Sequence, residues 1–219
     1  KREAQVCSSI NHTNIVKIYD VGSVETVHFM SMEYLEGMTL REFIKARGPL
    51  VANDIVKYLS PIAYVLGIMH SRGIVHRDVK SSNIFITNNG RAVLMDFGVV
   101  FTEGREPLSI KGSILGTPEY MSPEQAEGKV KVDGRSDIYS LGVVIFESLT
   151  GKLPFQSDNY ITTLYNIINE QPPAITSINP RVPKWLSTIV VSCLQKDRRY
   201  RIQDGFILAN ALREKEKFK

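Results

Sequence analysis

The apolar positions of this chain form strand-like runs near the start and follow helical spacing through most of the remainder. Lys1 to Ile10 reads as a helix, with Ala4, Cys7 and Ile10 on one face and Glu3 beside it. Asn11 to Asn14 is a polar break. Ile15 to Val21 and Val27 to Tyr34 read as strands around a turn containing Gly22, and Glu36-Gly37 breaks the second. Thr39 is placed to cap a short helix from Leu40 to Ala46, which Gly48-Pro49 ends. Asn53 is a good N-cap for a long helix to His70, along which Ile55, Val56, Leu59, Ile62, Ala63, Leu66 and Met69 recur. Pro61 falls inside that pattern and predicts a kink.

Ile84 to Thr87 and Ala92 to Met95 are short apolar runs joined by Asn88-Asn89-Gly90, a hairpin signal. Residues 99 to 124 show little periodicity and read as one long loop. Asp137 to Thr150 is apolar on nearly every face, which predicts a helix at the centre of a helical layer. Ile161 to Glu170, Pro183 to Gln195 and Phe206 to Glu216 are further amphipathic helices. The expectation is an α+β chain with two strands and a helix first, a mainly helical body after, and a hinge near Glu33 to Gly37.

With 219 residues and 43% apolar residues, the chain can bury a sizeable core. Its 27 cations and 23 anions leave a net charge of +4, too evenly mixed to argue for a nucleic-acid partner. Cys7 and Cys193 form no metal-ligand spacing and read as buried small hydrophobes, which points to a reducing compartment and a cytoplasmic location. No apolar run approaches about 18 residues, so no membrane segment is expected in this stretch.

The chemistry concentrates at His76-Arg77-Asp78-Val79-Lys80-Ser81-Ser82-Asn83 and at Asp96-Phe97-Gly98. A carboxylate, an ammonium and an amide stand at fixed spacing on one loop, and a second carboxylate follows on the next. The hairpin between them clamps the two loops side by side. Phosphoryl transfer from a nucleotide needs such a set, because its catalysis is mostly positioning and charge neutralisation.

With Ser122-Pro123-Glu124 further on, these motifs resemble the signature set of the protein kinase family, in order and over nearly the whole chain. The resemblance implies a protein-kinase-like fold with residues 1–35 as a truncated small lobe (one helix and two strands) and 36–219 as a mainly helical large lobe. It implies Asp78 as the group that orients the substrate hydroxyl and Lys80 as the partner of the γ-phosphate. Asn83 and Asp96 would be ligands of Mg²⁺, with Mn²⁺ as an alternative. Thr117 would bridge Asp78 and Lys80. Met32, Glu33 and Leu35 resemble the adenine-binding hinge of ATP sites; Met32 reads equally as a core methionine. Glu124 would pair with Arg201, Asp137 would tie the central helix to the catalytic loop, and Cys7, Ile18, His76 and Phe97 would stack as a spine. Arg77 would meet a phosphate on Ser109 or Ser113, two serines that also read as ordinary loop residues; Thr102 is a weaker position. Lys80 and Gly116-Thr117-Pro118-Glu119-Tyr120 place the resemblance in the serine/threonine class. The wording of residues 119–155 is most like bacterial members.

Two parts of the family set, a Gly-x-Gly-x-x-Gly segment and a Val-Ala-Ile-Lys strand, do not occur in the 219 residues. The resemblance places both ahead of Lys1, and Glu3 matches the glutamate that pairs with that lysine. Without outer neighbours the strand from Val27 would show an open edge, which invites cover by a second protomer or another chain. The expected activity is transfer of the ATP γ-phosphate to Ser/Thr hydroxyls of a protein substrate. The alternative is a pseudokinase, scaffold or inactive fragment that binds a partner.

Overall fold

The computed structural model describes residues 10–24, 27–95, 118–129 and 132–215. The expected helix over 1–10 therefore lies almost wholly outside the described residues, as do Glu3, Cys7, Asp96, Phe97, Thr102, Ser109, Ser113 and Thr117. Within them the fold is α+β and mainly helical, with one sheet of two strands and one of three.

Strand β1 (Ile18–Val24) pairs antiparallel with β2 (Val27–Met32). The sequence placed the first strand over Ile15 to Val21. Ile15 instead bridges to Leu94, because the Val16 amide donates to the Leu94 carbonyl (3.0 Å) and the Leu94 amide to the Asn14 carbonyl (2.8 Å). The chain thus touches the second sheet before it enters the first.

That second sheet has the order β3 (Gly37–Thr39), β4 (Ile84–Thr87), β5 (Ala92–Leu94). The expected hairpin β4–β5 forms, pairing Ile84 with Leu94 and Ile86 with Ala92, with Gly90 in left-handed backbone at φ 79°. Strand β3 was not anticipated, since Gly37 read as a terminator. Gly37 has φ 149°, and a Cβ there would lie 2.2 Å from the Ile86 carbonyl oxygen, so only glycine allows β3 this close to β4.

Helix α1 (Leu40–Arg47) starts at a reciprocal capping box: the Glu42 amide donates to Thr39 Oγ1 (3.2 Å), and the Thr39 amide to Glu42 Oε2 (2.8 Å). Helix α2 (Ala52–Ser71) is capped by Val51, not by Asn53. The amides of Asp54 and Ile55 both reach the Val51 carbonyl, and the Leu50 amide docks on the Ser148 carbonyl at 2.7 Å. Tertiary docking of buried Leu50 therefore sets this start, ahead of the better side-chain cap. The helix runs unbroken through Pro61.

The remaining helices are α3 (Pro123–Ala126), α4 (Arg135–Thr150), α5 (Tyr160–Asn169), α6 (Ile175–Ile178), α7 (Lys184–Cys193) and α8 (Gly205–Glu214). Helix α3 begins within the last two residues of the expected long loop (99–124) and runs past it: Ser122 and Gln125 form a second capping box there, with proline at its first turn. Every residue of α4 from Ser136 to Thr150 is buried. Its serine and threonine hydroxyls are satisfied, as where Ser148 Oγ donates to the Val144 carbonyl and Thr150 Oγ1 to that of Phe146, whereas the buried Tyr139 hydroxyl finds no partner among the described residues. Helix α7 crosses α4 at Gly142, where a Cβ would lie 2.5 Å from that of Cys193. Cys193 is a free thiol whose burial pushes its pKa up to about 12, so it packs as a small hydrophobe.

Helices α2 and α8 pack backbone against backbone. A Cβ on Gly205 would meet the Ala63 carbonyl oxygen at 2.2 Å and the Gly67 nitrogen at 2.4 Å, both backbone atoms that cannot swing aside. Beside them the Tyr64 and Phe206 rings meet edge to face at 5.2 Å. Gly205→Ala is therefore expected to destabilise the protein by about 1–3 kcal/mol through overpacking. Urea denaturation measures it; an unchanged midpoint would mean that the two helices do not approach this closely.

Candidate functional site

The loop after α2 turns sharply at Gly73 and reaches His76, Arg77 and Asp78. Arg77 has φ 67°, left-handed backbone that costs a non-glycine residue about 1 kcal/mol or more. Both of its peptide groups are held from outside. Its amide donates to Asp137 Oδ1 at 2.8 Å, and its carbonyl accepts from Gln125 Nε2 at 3.0 Å. The His76 amide donates to Asp137 Oδ2, also at 2.8 Å. His70 Nε2, at the end of α2, lies 2.8 Å from the same oxygen. Asp137 is 1% exposed and sits in the first turn of α4. Gly134 makes room for this arrangement, since a Cβ there would run into the His70 ring at 2.5 Å.

His76 joins the two chemical loops. Its Nε2 is 3.2 Å from the Met95 carbonyl, which can only accept, and its Nδ1 is 3.3 Å from the Asp78 amide, which can only donate. The ring is thereby set as the neutral tautomer with the proton on Nε2. Met95 immediately precedes Asp96, and its amide donates to the Asn83 carbonyl at 2.8 Å.

Around Asp78 three of the expected residues meet. Lys80 Nζ is 2.7 Å from Asp78 Oδ2, and Asn83 Nδ2 donates to that oxygen and to the Asp78 carbonyl, both at 2.9 Å. Asp78 and Lys80 are 32% and 20% exposed in their side chains, so the cluster is open to an incoming group. The Asn83 amide nitrogen is consumed, which leaves its carbonyl oxygen as the free end, the donor type that a hard divalent cation prefers. Among the described residues, no three His, Cys, Asp or Glu side chains cluster in a way that could hold a metal by themselves.

Met32, Glu33 and Leu35 lie on the segment from the end of β2 to β3. The Glu33 amide is taken by the Lys17 carbonyl (2.8 Å), while Leu35 packs against the core. Arg91, beside the β4–β5 turn, ties this segment to the hairpin through Glu33 Oε1 and the Thr13 carbonyl, both at 2.9 Å.

Glu124 and Arg201 meet as a buried, bidentate pair at 2.8 and 3.0 Å. Ser136 Oγ also donates to Glu124. Arg201 spends its other donors on the carbonyls of Arg135, Gln195 and Lys196, so all five guanidinium N–H groups are used. Burial pushes the Glu124 carboxyl up, but the Arg201 guanidinium and Ser136 more than offset this and hold it below the usual range.

Sequence reasoning missed His70, Gln125, Arg91 and a buried set formed by Ser81, Tyr120 and Glu147. Only Gln125 left a local signal, the Ser122-x-x-Gln125 spacing; the others act across the fold.

A family model described as the protein kinase domain matches residues 1–214. The serine/threonine-protein kinase PrkC of Bacillus subtilis is 37% identical over 203 residues, covering 93% of this chain and 31% of that protein. Serine/threonine-protein kinase PknB of Mycolicibacterium smegmatis is 36% identical over 208 residues (91% and 33%), and a probable PknB of Lactococcus lactis 34% over 204 (93% and 32%). The chain spans about a third of the length of these curated relatives.

The Glu124–Arg201 pair yields a test. Arg201→Met leaves a buried carboxylate unpaired and is expected to cost about 3–5 kcal/mol at neutral pH. The folded Glu124 pKa is depressed, so its contribution is present above the unfolded value, near 4.3, and is lost as pH falls through the folded value. Urea midpoints of wild type and Glu124→Gln, measured from pH 7 to pH 3, should therefore converge in acid. Parallel curves would refute the assignment.

Proposed function

The chain belongs to the protein kinase domain family, and on that premise we propose that it transfers the γ-phosphate of ATP to serine or threonine hydroxyls of a protein substrate. The observation that carries this reading is the Asp78 carboxylate, which holds Lys80 and Asn83 on a loop pinned to a buried helix. Asp78 orients the hydroxyl and accepts its proton as the oxygen attacks. Lys80, a compact ammonium beside it, meets the phosphoryl oxygens. Asn83, through its free amide oxygen, and Asp96, one residue beyond Met95, would hold Mg²⁺, or Mn²⁺ in its place. The bound ion supplies charge neutralisation of the phosphates. Thr117 bridges Asp78 and Lys80 in this reading.

Adenine is read by main-chain groups of Glu33 and Leu35, with Met32 behind it. We take residues 1–35 as the remnant of a small lobe and 36–219 as the large lobe, supported by separate sheets on either side of Leu35. His76 and Phe97 belong to a spine that includes Cys7 and Ile18. The exposed Arg77 side chain is offered to a phosphate on Ser109 or Ser113, and Glu3 to a lysine of the glycine-rich half of the site. Among the described residues no helix is long and apolar enough to cross a membrane. We place this domain in the cytoplasm, where ATP and protein substrates are met. A second protomer or another chain is the partner we infer for the outer side of β1–β2, where Tyr19 and Val27 are 62% and 65% exposed; mixed ionic surface gives no support for nucleic acid.

Two experiments test these readings. In the full-length protein, Asp78→Asn is expected to lower transfer of label from ATP by about 10²–10⁴-fold, and removal of divalent ions to abolish it until Mg²⁺ is restored. Transfer unchanged in both Asp78→Asn and Asp96→Asn overturns the mechanism. Sedimentation of the 219-residue chain should show self-association that grows with concentration; a monomer throughout removes the proposed second protomer.

A further inference from the structure

The roles assigned to Asp78, Lys80 and Asn83 leave Ser81 without one, although it is fully buried between Lys80 and Asn83. Its Oγ lies 3.0 Å from the Tyr120 phenol. That phenol oxygen lies 2.7 Å from Glu147 Oε2 and 3.4 Å from Arg41 Nη2. The phenol has a single proton. A carboxylate accepts and a guanidinium only donates, so Tyr120 gives its proton to Glu147 and accepts from Arg41 and Ser81. The result is a directed chain from the Ser81 hydroxyl through Tyr120 to the Glu147 carboxylate. Burial and the Glu147 charge hold the Tyr120 pKa far above the usual phenol range, which keeps that proton in place.

The chain is anchored on a second point of the helix that already holds the loop. Asp137 and Glu147 are ten residues apart on α4, about 15 Å along its axis and about 80° apart around it. Asp137 takes the entering side of the loop, at His76 and Arg77. Glu147 takes the leaving side, at Ser81, by way of Tyr120. The link also passes through the segment that leads to Ser122 and the Glu124–Arg201 pair, where the Tyr120 carbonyl accepts from Ser140 Oγ at 2.7 Å.

We propose that Ser81 is a positioning residue for phosphoryl transfer. The relay Ser81–Tyr120–Glu147 makes the placement of Lys80 and Asn83 depend on the seating of the segment that carries Tyr120. This rests on the kinase reading above. If the Ser81 hydroxyl only satisfies a buried pocket, its loss lowers stability and leaves the turn and the chemical step alone.

The test uses the full-length protein with Ser81→Ala, Tyr120→Phe and the double variant. Steady-state transfer to a protein substrate is measured beside amide hydrogen exchange of peptides covering residues 79–84. Ser81→Ala is expected to lower kcat about tenfold with KM within about twofold of wild type. Exchange at the turn should quicken about tenfold, since the Asn83 amide, bonded to the Lys80 carbonyl at 2.9 Å, loses its support. The double variant should lose no more kcat than the worse single one, because both cut one chain. A kcat within about twofold of wild type in Ser81→Ala, or losses that multiply in the double variant, overturns the relay. A wild-type protein that transfers no phosphate counts against the kinase reading instead. The relay is then judged on exchange alone, and unchanged exchange over 79–84 in Ser81→Ala overturns it.

Discussion

The Asp137 carboxylate accepts from the His76 and Arg77 amides and from His70 Nε2, and it does so at 1% exposure. A buried carboxylate is costly unless its oxygens are satisfied, and charge-assisted bonds of this kind are the strong ones. Such a group can hold a loop only if its own position is invariant. Helix α4 supplies that, because burial on every face from Ser136 to Thr150 leaves it no direction in which to move without opening the core. The left-handed backbone of Arg77 follows from this anchor: the loop turns there because two amides must point at one carboxylate. The position of Asp78, one residue on, is a consequence of that turn.

Satisfaction of buried polar groups also organises the neighbouring segment. Arg201 has five donors and finds five acceptors, two of them on Glu124. A pair so fully bonded gains little over a well-packed apolar pair, yet it is expensive to break. Its effect is therefore on specificity of seating more than on net stability. It holds the start of α3, and with it Gln125, whose side chain reaches the Arg77 carbonyl. Two anchors with no side chain in common thus converge on one strained peptide.

Local signals were readable where the chain satisfies itself locally. The Thr39 cap, the Gly90 turn and the all-round apolar pattern of α4 each state their own structure, and the motifs around Asp78 and Asp96 pointed to the family whose model matches residues 1–214. Where a distant partner decides, the sequence misled. Asn53 is a better cap than Val51, but Leu50 docking on Ser148 moves the helix start. Ile15 has strand character, and it pairs, but with Leu94. His70 looked like the last residue of a helix, because nothing nearby announces a carboxylate 67 positions on. The relay of Ser81, Tyr120 and Glu147 is invisible for the same reason: three common residue types, far apart, joined only by the fold.

The two-stranded sheet shows the same dependence. A lone hairpin is marginal in water, so β1–β2 must be held by what it touches. Ile18 packs against the main core, and several polar ties run to one hairpin. Asn14 to Val16 bonds along β5, with Asn14 Nδ2 reaching the Ala92 carbonyl at 2.6 Å, and Arg91 reaches both Glu33 and Thr13. That hairpin also carries Asn83 and Met95, side by side at its open end. The segment proposed to meet adenine and the residues proposed to meet metal are therefore referenced to the same two strands. A shift of the small sheet relative to the helical body has to work against β4–β5, so the spacing between the segment proposed for adenine and the residues proposed for metal depends on that hairpin.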